Sequence, residues 1–264
     1  MKSFTLMKKS GAVIPCLMEV PESARDIIIM VHGFGSQKDC ATAQMLFRRM
    51  PPAGFGVVTY DQPAHGPDEA GEELLLVENC ISSLQTVDQF VADEFPDARI
   101  CYFSSSFGAY ITTLYLCQFP HHGHRAFLRS AAVNMPLLML GSPGTEMDPA
   151  YRKEFDEKGY IVSDIGPSAI RIPLEFLHGL ACNDLAERFR RRIFQDTEFE
   201  MVHGEKDSTI EVSFAKTFAE QFGIPITVIP DEEHTLSDHP ETPDQVADLA
   251  IAFYRREKSG KGSR

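Results

Sequence analysis

A serine at 106, an aspartate at 207 and a histidine at 234 are the residue types that together break acyl bonds. Attack on a carbonyl needs a hydroxyl nucleophile, an imidazole to take its proton, a carboxylate to hold that imidazole, and N–H donors for the oxyanion. Ser106 is central to Ser104-Ser105-Ser106-Phe107-Gly108, where an apolar run from 99 stops at small residues and a helical pattern begins. A serine at the apex of such a strand-to-helix turn is lifted clear of the sheet, and the first amides of the helix point toward whatever it attacks. The usual pattern is G-x-S-x-G, from which Ser104 departs by little volume. Centring the pattern on Ser105 would put Phe107 where a small residue is needed, and centring it on Ser104 would put Ser106 there. A polar strand end without chemistry is the alternative for the three serines.

The donors and partners come from other strand ends. His32-Gly33-Phe34-Gly35 follows a β-branched run at 27–31, and glycines there can turn the backbone so that an N–H enters the cleft above the sheet. Asp207 ends His203-Gly204-Glu205-Lys206-Asp207, and His234 ends Pro230-Asp231-Glu232-Glu233-His234. Asp207 could instead cap the next helix. Asp231 and Glu205 are rival acids, and His239, beside Pro240, is a rival base. Glu232 and Glu233, next to His234, are expected to raise its imidazole pKa.

Other polar clusters read more plainly. His32 is expected to be a structural partner of its loop, and Asp61 and His65 to hydrogen-bond their own turn. His121-His122-Gly123-His124 follows a helix without companion carboxylate or cysteine ligands, so it reads as a solvated loop, and no metal is expected. Arg188-Phe189-Arg190-Arg191-Arg192 reads as a solvated helix face, or as an anion site if the cleft binds carboxylates.

The elements that must carry these groups alternate. Runs at 3–7 and 12–20 suggest a hairpin, and strands are expected at 27–31, 56–60, 99–103, 131–134, 199–202 and 226–229. Helical periods follow: one capped by Asp39 and running to Met50, one through Ile81, Leu84, Val87, Val91 and Phe95, and one over 107–119. Further helices are expected at 148–159, 171–180, 183–193 and 211–222. A separate final helix opens with a capping box, with Thr242 as cap, Pro243 first and Gln245 third. Alternating strands and helices imply an α/β fold with a mostly parallel central sheet, helices on both faces and functional groups at one edge. The core should span 1–135 and 197–258, with a helical cap at 136–196 after the sixth strand and a flexible tail at 259–264. Leu138, Ile170 and Phe176 of the cap, with Phe34, are expected to line an acyl pocket.

Composition narrows the partners. A net charge of −13 disfavours nucleic acid and anionic membrane surfaces. Lys2, Lys8 and Lys9 are not followed by a sustained apolar run, so neither a signal peptide nor a membrane span is expected. Six cysteines without a C-x-x-C pair read as reduced thiols of a cytoplasmic protein.

In this order, His32 to Gly35, Asp61 to Gly66, Ser104 to Gly108, His203 to Asp207 and His234 resemble the α/β-hydrolase superfamily, over about residues 25–255. The His-Gly-Phe-Gly opening and the cap resemble the branch of monoacylglycerol lipase-like esterases, serine aminopeptidases and cinnamoyl or feruloyl esterases. The resemblance implies Ser106 as nucleophile, His234 as base and then acid, and Asp207 as orienting carboxylate. The N–H groups of Phe34 and Phe107 would form the oxyanion hole. It implies a cofactor-independent serine hydrolase acting on a small-molecule ester through an acyl-enzyme. Amide cleavage or acyl transfer on the same residues, and a ligand-binding protein on an inert hydrolase scaffold, are the alternatives.

Overall fold

The computed structural model describes residues 1–66, 73–142, 146–163, 165 and 169–257. Strands β1 (Lys2–Met7) and β2 (Val13–Glu19) form the expected antiparallel hairpin. Then come β3 (Asp26–Val31), α1 (Ala41–Arg49), β4 (Phe55–Tyr60), α2 (Val77–Glu94), β5 (Arg99–Ser105), α3 (Phe107–Gln118) and β6 (Gly123–Arg129). An insert follows: α4 (Met135–Leu140), α5 (Pro149–Lys158), the antiparallel pair β7 (Tyr160–Ser163) and β8 (Ile170–Pro173), α6 (Leu174–Ala181) and α7 (Leu185–Arg190). The chain returns to the sheet with β9 (Glu198–Gly204), α8 (Val212–Phe222), β10 (Ile226–Ile229) and α9 (Thr242–Arg255).

The eight-stranded sheet has the order β1-β2-β4-β3-β5-β6-β9-β10, parallel from β4 to β10. Its central strands are buried on both faces, and the two-residue side-chain period divides their apolar residues between two cores. Ile27, Ile29, Val31, Tyr102 and Leu128 face α2 and α3, whereas Ile28, Met30, Phe103 and Phe127 face α1 and α9. Each such side chain contributes roughly 1.5–3 kcal/mol on burial. Helix α3 is buried from Phe107 to Cys117, because the insert covers the side that the sheet does not. There α7 packs on α3, α6 packs on α2, and Phe176, Leu177 and Leu180 join the core.

Several sequence expectations are corrected. The sixth strand lies at Gly123–Arg129, while 131–134 is a turn entered through Ser130 at a φ of +46°. Its apolar signal is masked by Arg125 and Arg129, each buried against specific partners. The insert is not wholly helical: the stretch from 170 begins as β8, and Pro173 caps a helix that starts at Leu174. The helix expected at 183–193 is shorter, and the Asp184 carboxylate accepts the Glu187 N–H at its start. Asp39 does not cap α1, whose N-cap is Cys40. Glu241 is the N-cap of α9, and the Thr242 hydroxyl donates to Glu232 at 2.6 Å instead of capping. The expected tail at 259–264 lies outside the described residues.

The cysteines are all free, with Cys16, Cys80, Cys101 and Cys117 buried. Among the described residues no helix is long and apolar enough to cross a membrane.

Candidate active site

The turn from β5 into α3 bends at Ser106, which has φ 53° and ψ −118°, a left-handed conformation that a non-glycine residue holds only when its surroundings fix it. Its N–H donates to the Arg129 carbonyl at 2.9 Å, and its carbonyl accepts from the N–H groups of Ala109 and Ala132. Gly108 is required by close approach, since a Cβ there would stand 2.3 Å from the Val31 carbonyl oxygen. Ser104 needs no such room. Its side chain points to the α3 face and shares a 2.8 Å hydrogen bond with the Thr112 hydroxyl, so the departure from glycine ties strand to helix.

Three groups from distant strand ends meet here. His234 Nε2 lies 3.0 Å from Ser106 Oγ, and His234 Nδ1 lies 2.8 Å from Asp207 Oδ2. Asp207 is buried and receives more than this one bond: the N–H groups of Thr209 and Ile210 donate to Oδ1, and His203 Nε2 lies 3.0 Å from Oδ2. Burial alone would raise its carboxyl pKa, but the hydrogen bonds from His203, His234 and Ile210 outweigh it and hold the group well below the usual carboxylate range. His203, read from sequence only as part of its motif, therefore shares the acid with His234. It has no sequence signal beyond its place before Gly204.

The histidine loop is gripped from β6. Ser130 Oγ donates to the His234 carbonyl at 2.8 Å, and Arg129 Nη2 donates to the Thr235 carbonyl. Sequence reading missed both contacts because it placed that strand too late. Glu232 and Glu233 bond to partners other than His234. Buried Glu232 takes the Thr242 hydroxyl and both the N–H and ring of His239, and Glu233 takes Ser208. The rivals are occupied too: Asp231 pairs with Lys206, Glu205 accepts the Asp231 N–H, and His239 pairs with Glu232.

The loop carrying Phe34 is fixed by two buried imidazoles. His32 Nδ1–H donates to the Gly33 carbonyl and its Nε2 accepts the Gln62 N–H, while His65 Nδ1–H donates to the Pro63 carbonyl and its Nε2 accepts the Gly35 N–H. His65 thus bonds its own turn and also reaches the opposite loop. Asp61 does not close its own turn: it holds the backbone N–H and ammonium of Lys38, at 2.7 and 2.6 Å. Burial pushes the imidazoles down, to about 4 for His32 and about 3 for His65, so both are neutral. The Phe34 ring meets that of Phe107 edge-on at 5.9 Å, and Phe107 in turn meets Phe176 at 5.8 Å.

A cavity of about 340 Å³ opens beside Ser106 and His234. Phe34 lines it, with Met30, Met45, Leu236 and Val246. Leu138, Ile170 and Phe176 do not: Leu138 is exposed, while Ile170 and Phe176 are buried in the core. The cavity lies on the α1 and α9 side of the sheet, away from the insert's packing on α2 and α3. The His121 to His124 stretch leads into β6; His122 is exposed, as a solvated loop residue would be, and also bonds through its N–H and Nδ1 to buried Asp88, which takes the Tyr102 and Tyr115 hydroxyls as well. Among the described residues no group of three or more His, Cys, Asp or Glu could hold a metal ion. In the basic run, Arg190 and Arg191 pair with Glu187 on their own helix.

No curated protein matches the chain. Among solved structures, Est1E from Butyrivibrio proteoclasticus, in a structure with ferulic acid bound, superposes with a TM-score of 0.76 at 14% identity, over 96% of this chain and 100% of the other. A thermostable carboxyl esterase from Bacillus coagulans gives 0.71 at 17% identity, over 96% and 97%. The esterase domain of a Rhodothermus marinus protein gives 0.70 at 16% identity, over 97% and 98%. At these identities the likeness speaks for the fold. The family described as Serine aminopeptidase, S33, matches residues 22–153, half of the chain, from β3 through the Ser106 turn into the insert. On that match and this architecture, the chain belongs to the serine aminopeptidase S33 family of α/β-hydrolases.

Proposed function

We propose that this protein is a serine hydrolase that cleaves carboxylic esters of small to medium acyl groups through an acyl-enzyme. The observation that carries the reading is the bonded chain from Ser106 Oγ through His234 to Asp207. Ser106 Oγ adds to the ester carbonyl as its proton passes to His234 Nε2, and Asp207 holds the imidazolium that forms. The Phe34 and Phe107 N–H groups receive the oxyanion, each donor contributing about 3 kcal/mol in comparable sites. His234 returns the proton to the leaving alkoxide, then deprotonates a water that releases the acid and restores the Ser106 hydroxyl.

The cavity supports a small substrate, being near the lower end of the range of small-molecule sites, roughly 300–1,000 Å³. The family's name raises the peptidase reading. Among the described residues the cavity lining contains no Asp or Glu to receive a free α-amino group, which favours the ester. The insert would serve as a lid where it reaches the site: a Cβ on Gly35 would meet the Ile165 carbonyl at 2.2 Å, so Ile165 lies against the Phe34 loop. Six free thiols suit a reducing, cytoplasmic setting.

A fluorophosphonate probe should label wild-type protein at Ser106, and p-nitrophenyl esters of graded length should show turnover that falls once the acyl chain outgrows the cavity. Full esterase activity in Ser106→Ala would overturn the proposal.

A further inference from the structure

The cavity beside Ser106 is apolar over most of its wall, yet it contains a guanidinium. Arg129 ends β6 on the same sheet face as Phe127, and its side chain lines the cavity together with Ser106 and His234. It is 9% exposed, and among the described residues it forms no ion pair. Its two hydrogen bonds go to neutral acceptors, Ser105 Oγ at 2.8 Å and the Thr235 carbonyl. A guanidinium carries five N–H donors. Asp207 and Glu232 favour the cation through space without touching it, their oxygens being taken by His203 and His234 and by Thr242 and His239.

A buried cation without a carboxylate partner is costly to keep, and among the described residues the other buried arginine and the buried lysine each have one. Arg125 pairs with Glu198, and Lys8 pairs with Glu73. Burial pushes the Arg129 guanidinium down to about 10, so it remains a cation at neutral pH.

Resting on the hydrolase reading, we propose that Arg129 is the specificity residue of this site and that the preferred substrate is an ester bearing a carboxylate, which the guanidinium receives while Ser106 attacks the ester carbonyl. The rest of the wall, with Met30, Met45, Leu236 and Val246, fits the short methylene chain between the two. The net charge of −13 repels anions at long range, so the selectivity is local to this one cation.

Two arms place the carboxylate. Ethyl hydrogen succinate, glutarate and adipate carry it on the acyl side and 3-acetoxypropionate on the alcohol side, each compared with its neutral primary-amide isostere by pH-stat. In one arm wild-type kcat/KM should favour the acid over the amide by more than tenfold. The ratio should collapse at least tenfold in Arg129→Gln and survive in part in Arg129→Lys, which keeps charge but not the planar fork. Any loss shared by acid and amide divides out. Equal wild-type rates on acid and amide in both arms, or a ratio unchanged in Arg129→Gln, would overturn the inference and leave Arg129 a brace between Ser105 and the histidine loop.

Calorimetric titration of glutarate and glutaramide into Ser106→Ala reads the anion site without turnover. The diacid should bind at least tenfold tighter, and equal binding would again overturn the inference. A chain lacking esterase activity but keeping that preference would sink the hydrolase reading alone.

Discussion

Replacing Asp207 with asparagine tests how the proposed proton relay is held. Oδ1 of Asp207 receives two backbone N–H groups, from Thr209 at 3.0 Å and Ile210 at 2.7 Å, that cannot turn away. The amide oxygen of an asparagine must therefore stay with them, which turns its NH2 toward His234 and His203. His234 Nδ1 would then have to accept, moving the ring proton to Nε2, 3.0 Å from Ser106 Oγ, where it blocks uptake of the serine proton. The expected loss is about ten-thousandfold in kcat, as for the same change in a comparable triad, or about 5 kcal/mol in the barrier. Steady-state hydrolysis of p-nitrophenyl butyrate would measure it, at a temperature where circular dichroism shows Asp207→Asn folded. Asp207→Ala provides a second variant without the wrong-tautomer lock. A folded Asp207→Asn enzyme keeping more than a tenth of wild-type kcat would refute this account of the acid.

Acid should weaken the fold through the two neutral imidazoles under the Phe34 loop. Their folded pKa values lie near 4 and 3, below the ordinary 6.5, so their contribution is full above pH 6.5 and is lost as pH falls toward 4. That is roughly 1–2 kcal/mol per histidine between pH 7 and 5, and a flat urea midpoint over that range would contradict it. Ser104→Ala should cost about 1–3 kcal/mol in urea unfolding, because the buried Thr112 hydroxyl loses its partner; unchanged stability would mean the bond contributes nothing. Phe176→Ala, at a fully buried ring against Phe107, should cost about 3–5 kcal/mol, and a loss below 1 kcal/mol would show that the insert is not packed on the core.

The sheet was legible where a strand is apolar on both faces. Ile27 to Val31 and Gly56 to Tyr60 have no alternation to confuse and end at glycine or proline turns, so their positions and ends match the structure. Strand β6 was not legible in the same way. Its two arginines carry the composition of a surface segment, and only Glu198, the Tyr254 carbonyl, Ser105 and the Thr235 carbonyl, all distant in sequence, make them fit a buried strand. The β7–β8 pair escaped for a related reason: short apolar runs broken by proline serve helix and strand equally, and tertiary packing decides. The meeting of Ser106, Asp207 and His234 was readable because parallel strands deliver their ends to one edge. The commitments of Glu232, Glu233 and Asp61 were not, because each depends on which loop its side chain reaches.

The place of the cavity follows from side-chain parity. In β5 the alternation sends Ser104 toward α3 and Ser105 toward α1 and α9, with Ser106 on the turn between. The register pairs Ser105 with Arg129, so the last side chain of β6 falls on the α1 and α9 face, one step beyond Phe127. Once β6 ends at Arg129 rather than at 134, the period of two alone puts a cation beside the serine and leaves the insert to pack on the opposite face. An acyl pocket built from the insert would need its large apolar residues free, but Ile170 and Phe176 are consumed in packing against the core. Residues of α1, α9 and the histidine loop wall the cavity instead, with Arg129 among them and no residue of the insert.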